Sequence, residues 1–219
     1  MHFEILVEDI SGKKALNILM PKIIGTSNTF KIHSYKGIGK IPKNLHKKTN
    51  PTARILLDRL PRLLNGYGRT YPKYSTAYPV AVILVCDLDS NCLKDFRKEL
   101  FAILDKCSFQ PETRFCIAIE EIEAWILGDI PAIVKYYAKA KRNVLNSYEN
   151  DSICGTWEKL ADAIYPRGAI GLTKLGWQAI GREKSKWAEN IVPHMKTDRN
   201  NSQSFCYFRD KLLELLNRG

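Results

Sequence analysis

Apolar positions follow two rhythms along this chain. Phe3-Glu4-Ile5-Leu6-Val7 and Val80-Ala81-Val82-Ile83-Leu84-Val85 are short runs dense in β-branched residues, and the second is apolar on both faces, as a central strand of a parallel sheet must be. Thr29 to Tyr35 alternates with a period of two, and Arg114-Phe115-Cys116-Ile117-Ala118-Ile119 forms a fourth run. Between them the period lengthens. Ala15, Leu16, Leu19, Met20 and Ile23 predict a helix over 13–24 that kinks at Pro21 and stops at Gly25; further helices are predicted over about 51–64 and 93–106. A helix is predicted to begin near Glu120, directly after the fourth strand. Strands alternating with helices predict an α/β fold with a parallel-sheet core over residues 1–130. From Pro131 the pattern is mainly helical, ending in Phe208 to Leu216, so 131–219 is expected to be a helical extension packed on that core.

Composition narrows the class. The chain has 219 residues, 45% hydrophobic and 26% charged, enough apolar surface for a core. No stretch reaches the ~20 apolar residues of a membrane-spanning helix, and Met1-His2-Phe3-Glu4 opens no export signal, so no membrane partner is expected. Cys86, Cys92, Cys107, Cys116, Cys154 and Cys206 are scattered without a Cys-x-x-Cys pair, which fits a reducing, cytoplasmic setting.

The net charge is +11, unevenly spread. Fourteen basic residues face four acidic ones up to residue 80, five face ten from 81 to 130, and fifteen face nine thereafter. An acidic segment between basic flanks suits an anionic polymer held by cations and presented to carboxylates that bind metal. Lys36, Lys40, Lys43, Lys47 and Lys48, with two glycines among them, read as an exposed loop able to neutralise several phosphates.

The acids gather where strands end. Glu8 follows the first, Asp87 and Asp89 the third, and Glu120 to Glu123 the fourth. In an open parallel sheet that edge is where loops and ligands meet. In Asp87-Leu88-Asp89 an extended chain turns both carboxylates to one side. On a helix from Glu120, Glu120 and Glu123 share a face and Glu121 turns away. Clustered carboxylates call for a divalent cation, and an oxygen-only set selects Mg²⁺ or Mn²⁺ over zinc. A solvated loop or a helix N-cap is the plain alternative for Asp-x-Asp.

These residues resemble a Toprim domain, the fold shared by topoisomerases, bacterial primases and the overcoming-lysogenization-defect nucleases. Leu6-Val7-Glu8 with Ser11-Gly12 is similar to its first strand and turn, Gly37 or Gly39 to the glycine after its second strand, and Asp87-Leu88-Asp89 to its Asp-x-Asp. More narrowly, Val85 to Asp89, Ile122 to Asp129, Lys184-Ser185-Lys186-Trp187-Ala188 and Ser202-Gln203-Ser204-Phe205 are similar to the bacterial Toprim-like family called domain of unknown function 4276. That family has glycine after the first glutamate. Here Asp9 stands in that place, an acid that would either tighten a metal or disturb the turn.

The resemblance implies a Toprim-like core and metal-dependent phosphoryl transfer on nucleic acid, in phage defence or DNA repair. It implies two Mg²⁺ or Mn²⁺ ions held by Glu8, Asp87, Asp89 and Glu123, with Glu120 as a further ligand and Glu8 as ligand or general base. The late lysine of the overcoming-lysogenization-defect site falls on Lys184, with Lys186 second and also a nucleic-acid contact; an exposed helix lysine is the plain alternative for either. DNA is favoured over RNA, and a dimer is compatible. A second expectation is a catalytically inactive nucleic-acid-binding or adaptor subunit working with an ATPase, motivated by Asp9. A phosphatase is disfavoured, because a small substrate does not need so basic a protein. Trp125 is expected in the core rather than as a base-stacking platform, and Trp187 is left open between the two.

Overall fold

The computed structural model describes residues 1–41, 54–73, 78–152 and 155–218. Lys43, Lys47 and Lys48 of the expected phosphate-binding loop therefore lie outside the described residues, as does Cys154. Four strands, β1 (His2–Val7), β2 (Thr29–Ser34), β3 (Val80–Asp87) and β4 (Thr113–Ala118), form one sheet in the order β2-β1-β3-β4, every pair parallel. Three helices connect them: α1 (Ile10–Ile24), α2 (Leu56–Thr70) and α3 (Leu93–Asp105). The α/β expectation holds.

Side-chain alternation along the strands decides which helix covers which face. Phe3, Ile5, Val7, Ala81, Ile83 and Val85 point to the face covered by α1 through Leu16, Leu19 and Met20. Leu6, Val82, Leu84 and Cys86 point to the opposite face, where Leu57, Leu60 and Leu64 of α2 and Phe96, Leu100 and Ile103 of α3 cover them. Parallel strands whose crossover helices lie on both faces have to be apolar on both sides, which is why β3 reads as an unbroken hydrophobic run.

The rest of the chain adds α4 (Glu123–Leu127), α5 (Ile130–Tyr136), α6 (Arg142–Asn146), α7 (Thr156–Ile164), α8 (Gly168–Thr173), α9 (Trp177–Ile191) and α10 (Gln203–Leu216). These helices join the α1 side of the sheet: Trp125, Trp187, Ile191, Phe205, Phe208 and Leu212 are buried in the same cluster as Ile5 and Leu16. Trp187 is thereby a core residue, 1% exposed. Lys22 of α1 ties the two parts further, its Nζ donating to the carbonyls of Val192, Pro193 and Met195 at 2.7–3.0 Å. Among the described residues no helix is long and apolar enough to cross a membrane.

Four element boundaries differ from the sequence pattern. Helix α1 begins at Ile10 because Asp9 caps it, and it runs on through Pro21 to Ile24. Helix α2 extends past Leu64 to Thr70, with Gly68 where a Cβ would stand 2.2 Å from the carbonyl oxygen of Phe109. The helix after β4 starts at Glu123, three residues later than predicted. Helix α10 starts at Gln203, five residues before Phe208, where the Ser202 side chain accepts from Phe205 N–H as an N-cap.

Candidate active site

Strand β1 hands its chain to β2 on one side, and β3 lies on the other, so the carboxyl ends of β1 and β3 flank the point where the sheet's winding reverses. In open parallel sheets this point opens a crevice. Glu8 leaves β1 there, and Asp87 is the last residue of β3. The two touch: Asp87 N–H approaches Glu8 Oε2 at 3.4 Å, and Asp87 Oδ1 accepts from Ile122 N–H at 3.2 Å, which draws the segment after β4 to the same place. Asp89 N–H donates to the Glu120 carbonyl at 3.2 Å. Both Asp89 (φ 50°) and Glu120 (φ 62°) adopt the left-handed backbone that side chains disfavour, so this edge is held in a strained form by its contacts.

Lys184 arrives from the far end of the chain on α9. Its Nζ lies 3.0 Å from Glu123 Oε2 and 3.3 Å from Glu121 Oε1, with the Glu123 side chain 4% exposed. Lys184 is thus the partner of the buried Glu123 Oε2. Glu158 of α7 carries a buried oxygen, Oε2, with no hydrogen-bond donor among the described residues.

Burial governs the protonation of this cluster. Glu8 is pushed up to about 7, first by desolvation and then by the neighbouring Asp89 charge. Burial also lifts Glu123 to about 7 against the pull of Lys184, and lifts Asp87 well above the usual carboxylate range, with Glu8 adding to it. Asp89 and Glu158 are raised for the same first reason. For Lys184 burial works downward, but Glu123, Glu121 and Asp87 outweigh it and hold the ammonium protonated. The arrangement is a set of carboxyls competing for one cation.

Glu8, Asp87 and Glu123 are brought together as the strand-end pattern expected, Lys184 joins them as the resemblance implied, and Asp89 lies at the edge. Glu120 is not: its carboxylate accepts from Gly155 N–H at 2.8 Å and Thr156 N–H at 3.0 Å, capping the N-terminus of α7. Glu121, expected to turn away, faces Lys184 instead, because the chain before α4 is not yet helical. Asp9 accepts from Gly12 N–H at 2.7 Å and from the Ser11 hydroxyl, so it forms the turn rather than disturbing it. Glu158 carried no signal in the sequence, since only the packing of α7 brings it near Glu120 and Glu121. Lys36 and Lys40 are exposed, and the Lys36 loop starts beside the site, Gly37 N–H donating to the Glu8 carbonyl at 3.2 Å. Lys186 is exposed and paired with Glu183.

The donor chemistry suits a hard divalent cation: oxygen ligands only, and carboxyls that resist ionisation without a counter-charge. In the present arrangement the acids turn to Lys184, and among the described residues no three Asp, Glu, His or Cys side chains converge as a ready-made ligand set. Comparisons of the chain with protein-family models, with curated proteins and with solved structures returned no match.

Proposed function

We propose that this protein is a Toprim-like nuclease that hydrolyses phosphodiester bonds of nucleic acid with Mg²⁺ or Mn²⁺, acting in phage defence or DNA repair. The carrying observation is the meeting of Glu8 and Asp87 at the sheet's reversal point with Lys184 delivered from α9. Glu8, Asp87, Asp89 and Glu123 would hold the metal, which supplies Lewis acidity to the phosphoryl group and a more acidic water. Glu8 would serve in one of two roles: as a ligand it stays ionised, and left off the metal, with its carboxyl pushed up to about 7, it is matched to take a proton from water near neutral pH. The water oxygen bonds to phosphorus as the bond to the leaving oxygen breaks, the leaving oxygen takes a proton from solvent, and the Lys184 ammonium would face the charge that gathers on the phosphoryl oxygens. Exposed Lys36 and Lys40 hold flanking phosphates, so binding weakens as salt rises.

A second reading, an inactive nucleic-acid-binding subunit working with an ATPase, is favoured by one observation: Lys184 already compensates Glu121 and Glu123 without a metal. The experiment separating the two is incubation with plasmid, single-stranded DNA and RNA in Mg²⁺, Mn²⁺ or EDTA. The nuclease reading expects metal-dependent cleavage that Asp87→Asn and Glu8→Gln each lower by at least about a hundredfold. Absence of cleavage by the wild type, with salt-sensitive binding retained, establishes the second reading instead.

A further inference from the structure

Helix α9 presents something besides Lys184. Trp177, its first residue, is 79% exposed, whereas Trp125, Trp157 and Trp187 are at most 7% exposed. A tryptophan gains most by burial, so leaving one in water at a helix start is costly unless something covers it. Ile170 and Leu175, 74% and 52% exposed, stand just before it.

Two features say what covers it. The first is continuity with the site. Trp177 and Lys184 are seven residues apart on one unbroken helix, which puts them within about 20° of the same face and about 10 Å apart along the axis. Gly181 lies between them, and a Cβ there would meet nothing within 4 Å, so the helix surface is uncovered at that turn. The second is charge. Residues 163–182 contain Arg167, Lys174 and Arg182 and no acid, and all three cations are exposed. The acids that bracket the stretch are engaged, Asp162 with Ala169 N–H and Glu183 with Lys186. A protein partner held by apolar contact alone would not need those cations, whereas an exposed aromatic on a stretch that carries three exposed cations and no acid suits a flat ring carried on an anionic backbone.

We propose that Trp177 is a stacking platform for an unpaired nucleobase, placing single-stranded nucleic acid, or a frayed end, along α9 with its backbone leading to Lys184. This rests on the nucleic-acid reading above and names its substrate class. A duplex hides its bases within the stack, so it gains nothing from Trp177.

The test is equilibrium binding in EDTA, where no turnover occurs, of wild type, Trp177→Ala and Trp177→Phe to a fluorescein-labelled oligothymidylate, a duplex of the same length and an abasic oligomer. Trp177→Ala is expected to weaken oligothymidylate binding at least about fivefold, Trp177→Phe to stay within about threefold, and the abasic and duplex affinities to be equal in all three proteins. Because the other three tryptophans are buried, oligothymidylate is also expected to quench the wild-type indole emission and to quench that of Trp177→Ala far less. Equal oligothymidylate affinity for wild type and Trp177→Ala overturns this inference and leaves the nuclease reading standing. So does a Trp177→Ala protein that binds as before but changes from dimer to monomer in light scattering, which makes the face an interface between copies. A wild type that binds none of the oligomers overturns both.

Discussion

Removing the charge of Glu8 tests the electrostatics of the site without relying on turnover. The substitution is Glu8→Gln, which keeps the shape and an oxygen for the weak contact from Asp87 N–H at 3.4 Å. A carboxyl whose value rises from 4.5 in the open chain to about 7 in the fold binds protons more tightly when folded. Its effect on stability is therefore nil below about pH 4.5, grows as a penalty through the interval between those values, and is complete above about pH 7. At about 1.4 kcal/mol for each tenfold change in acidity, that interval amounts to roughly 3 kcal/mol, reduced somewhat by the solvent that still reaches the side chain. Urea denaturation of wild type and Glu8→Gln in EDTA, from pH 4.5 to 8, reads it directly. The two are expected to be equally stable at the acid end and the variant about 2–3 kcal/mol more stable at pH 8, a rise in Tm of roughly 5–10 °C. With Mg²⁺ at pH 8 the advantage should shrink or reverse, because the wild-type carboxylate then gains a counter-charge. A variant less stable than wild type at pH 8 in EDTA, or a difference that does not change with pH, refutes the reasoning.

Two further substitutions probe the supports of the site. At Gly12 a Cβ would stand 2.8 Å from both Ile122 Cδ1 and Val7 Cγ2, so Gly12→Ala is expected to destabilise by about 1–3 kcal/mol in denaturant titration, since α1 must shift from the β1 edge. Ser204→Ala leaves the buried Trp125 Nε1–H, now donating to Ser204 Oγ at 3.0 Å, without its acceptor, and is expected to cost about 1–3 kcal/mol by the same measurement; a change under about 0.5 kcal/mol means that the indole has another acceptor.

The sheet was legible because burial on both faces leaves its mark on every residue of a strand, as in Val80 to Val85. Which acid enters the site was less so. Glu120, Glu121 and Glu123 look alike in sequence, and their roles divide only because Glu120 takes a left-handed backbone and spends its carboxylate on the amides at the start of α7, a segment over thirty residues away. Pro21 did not end α1, since the packing of Leu16, Leu19 and Ile23 keeps the chain helical to Ile24. Lys184 could be placed only through resemblance, since nothing in its own neighbourhood marks it off from Lys186. Nothing in the sequence separates Trp177 from the three buried tryptophans, and its exposure is seen only in the fold.

The cover of one sheet face has a consequence for the timing of the proposed chemistry. Phe3, Ile5 and Val7 share a cluster with Trp187, Ile191, Phe205 and Phe208, so that side of the fold closes only when the final helices have been made. A chain still on the ribosome has released Glu8, Asp87 and Glu123 long before Lys184 and its helix can dock. During synthesis the acids therefore stand without their lysine, and a nascent chain surrounded by RNA carries an unassembled site. On the proposed reading, the order of synthesis alone delays the assembled site until α9 has docked.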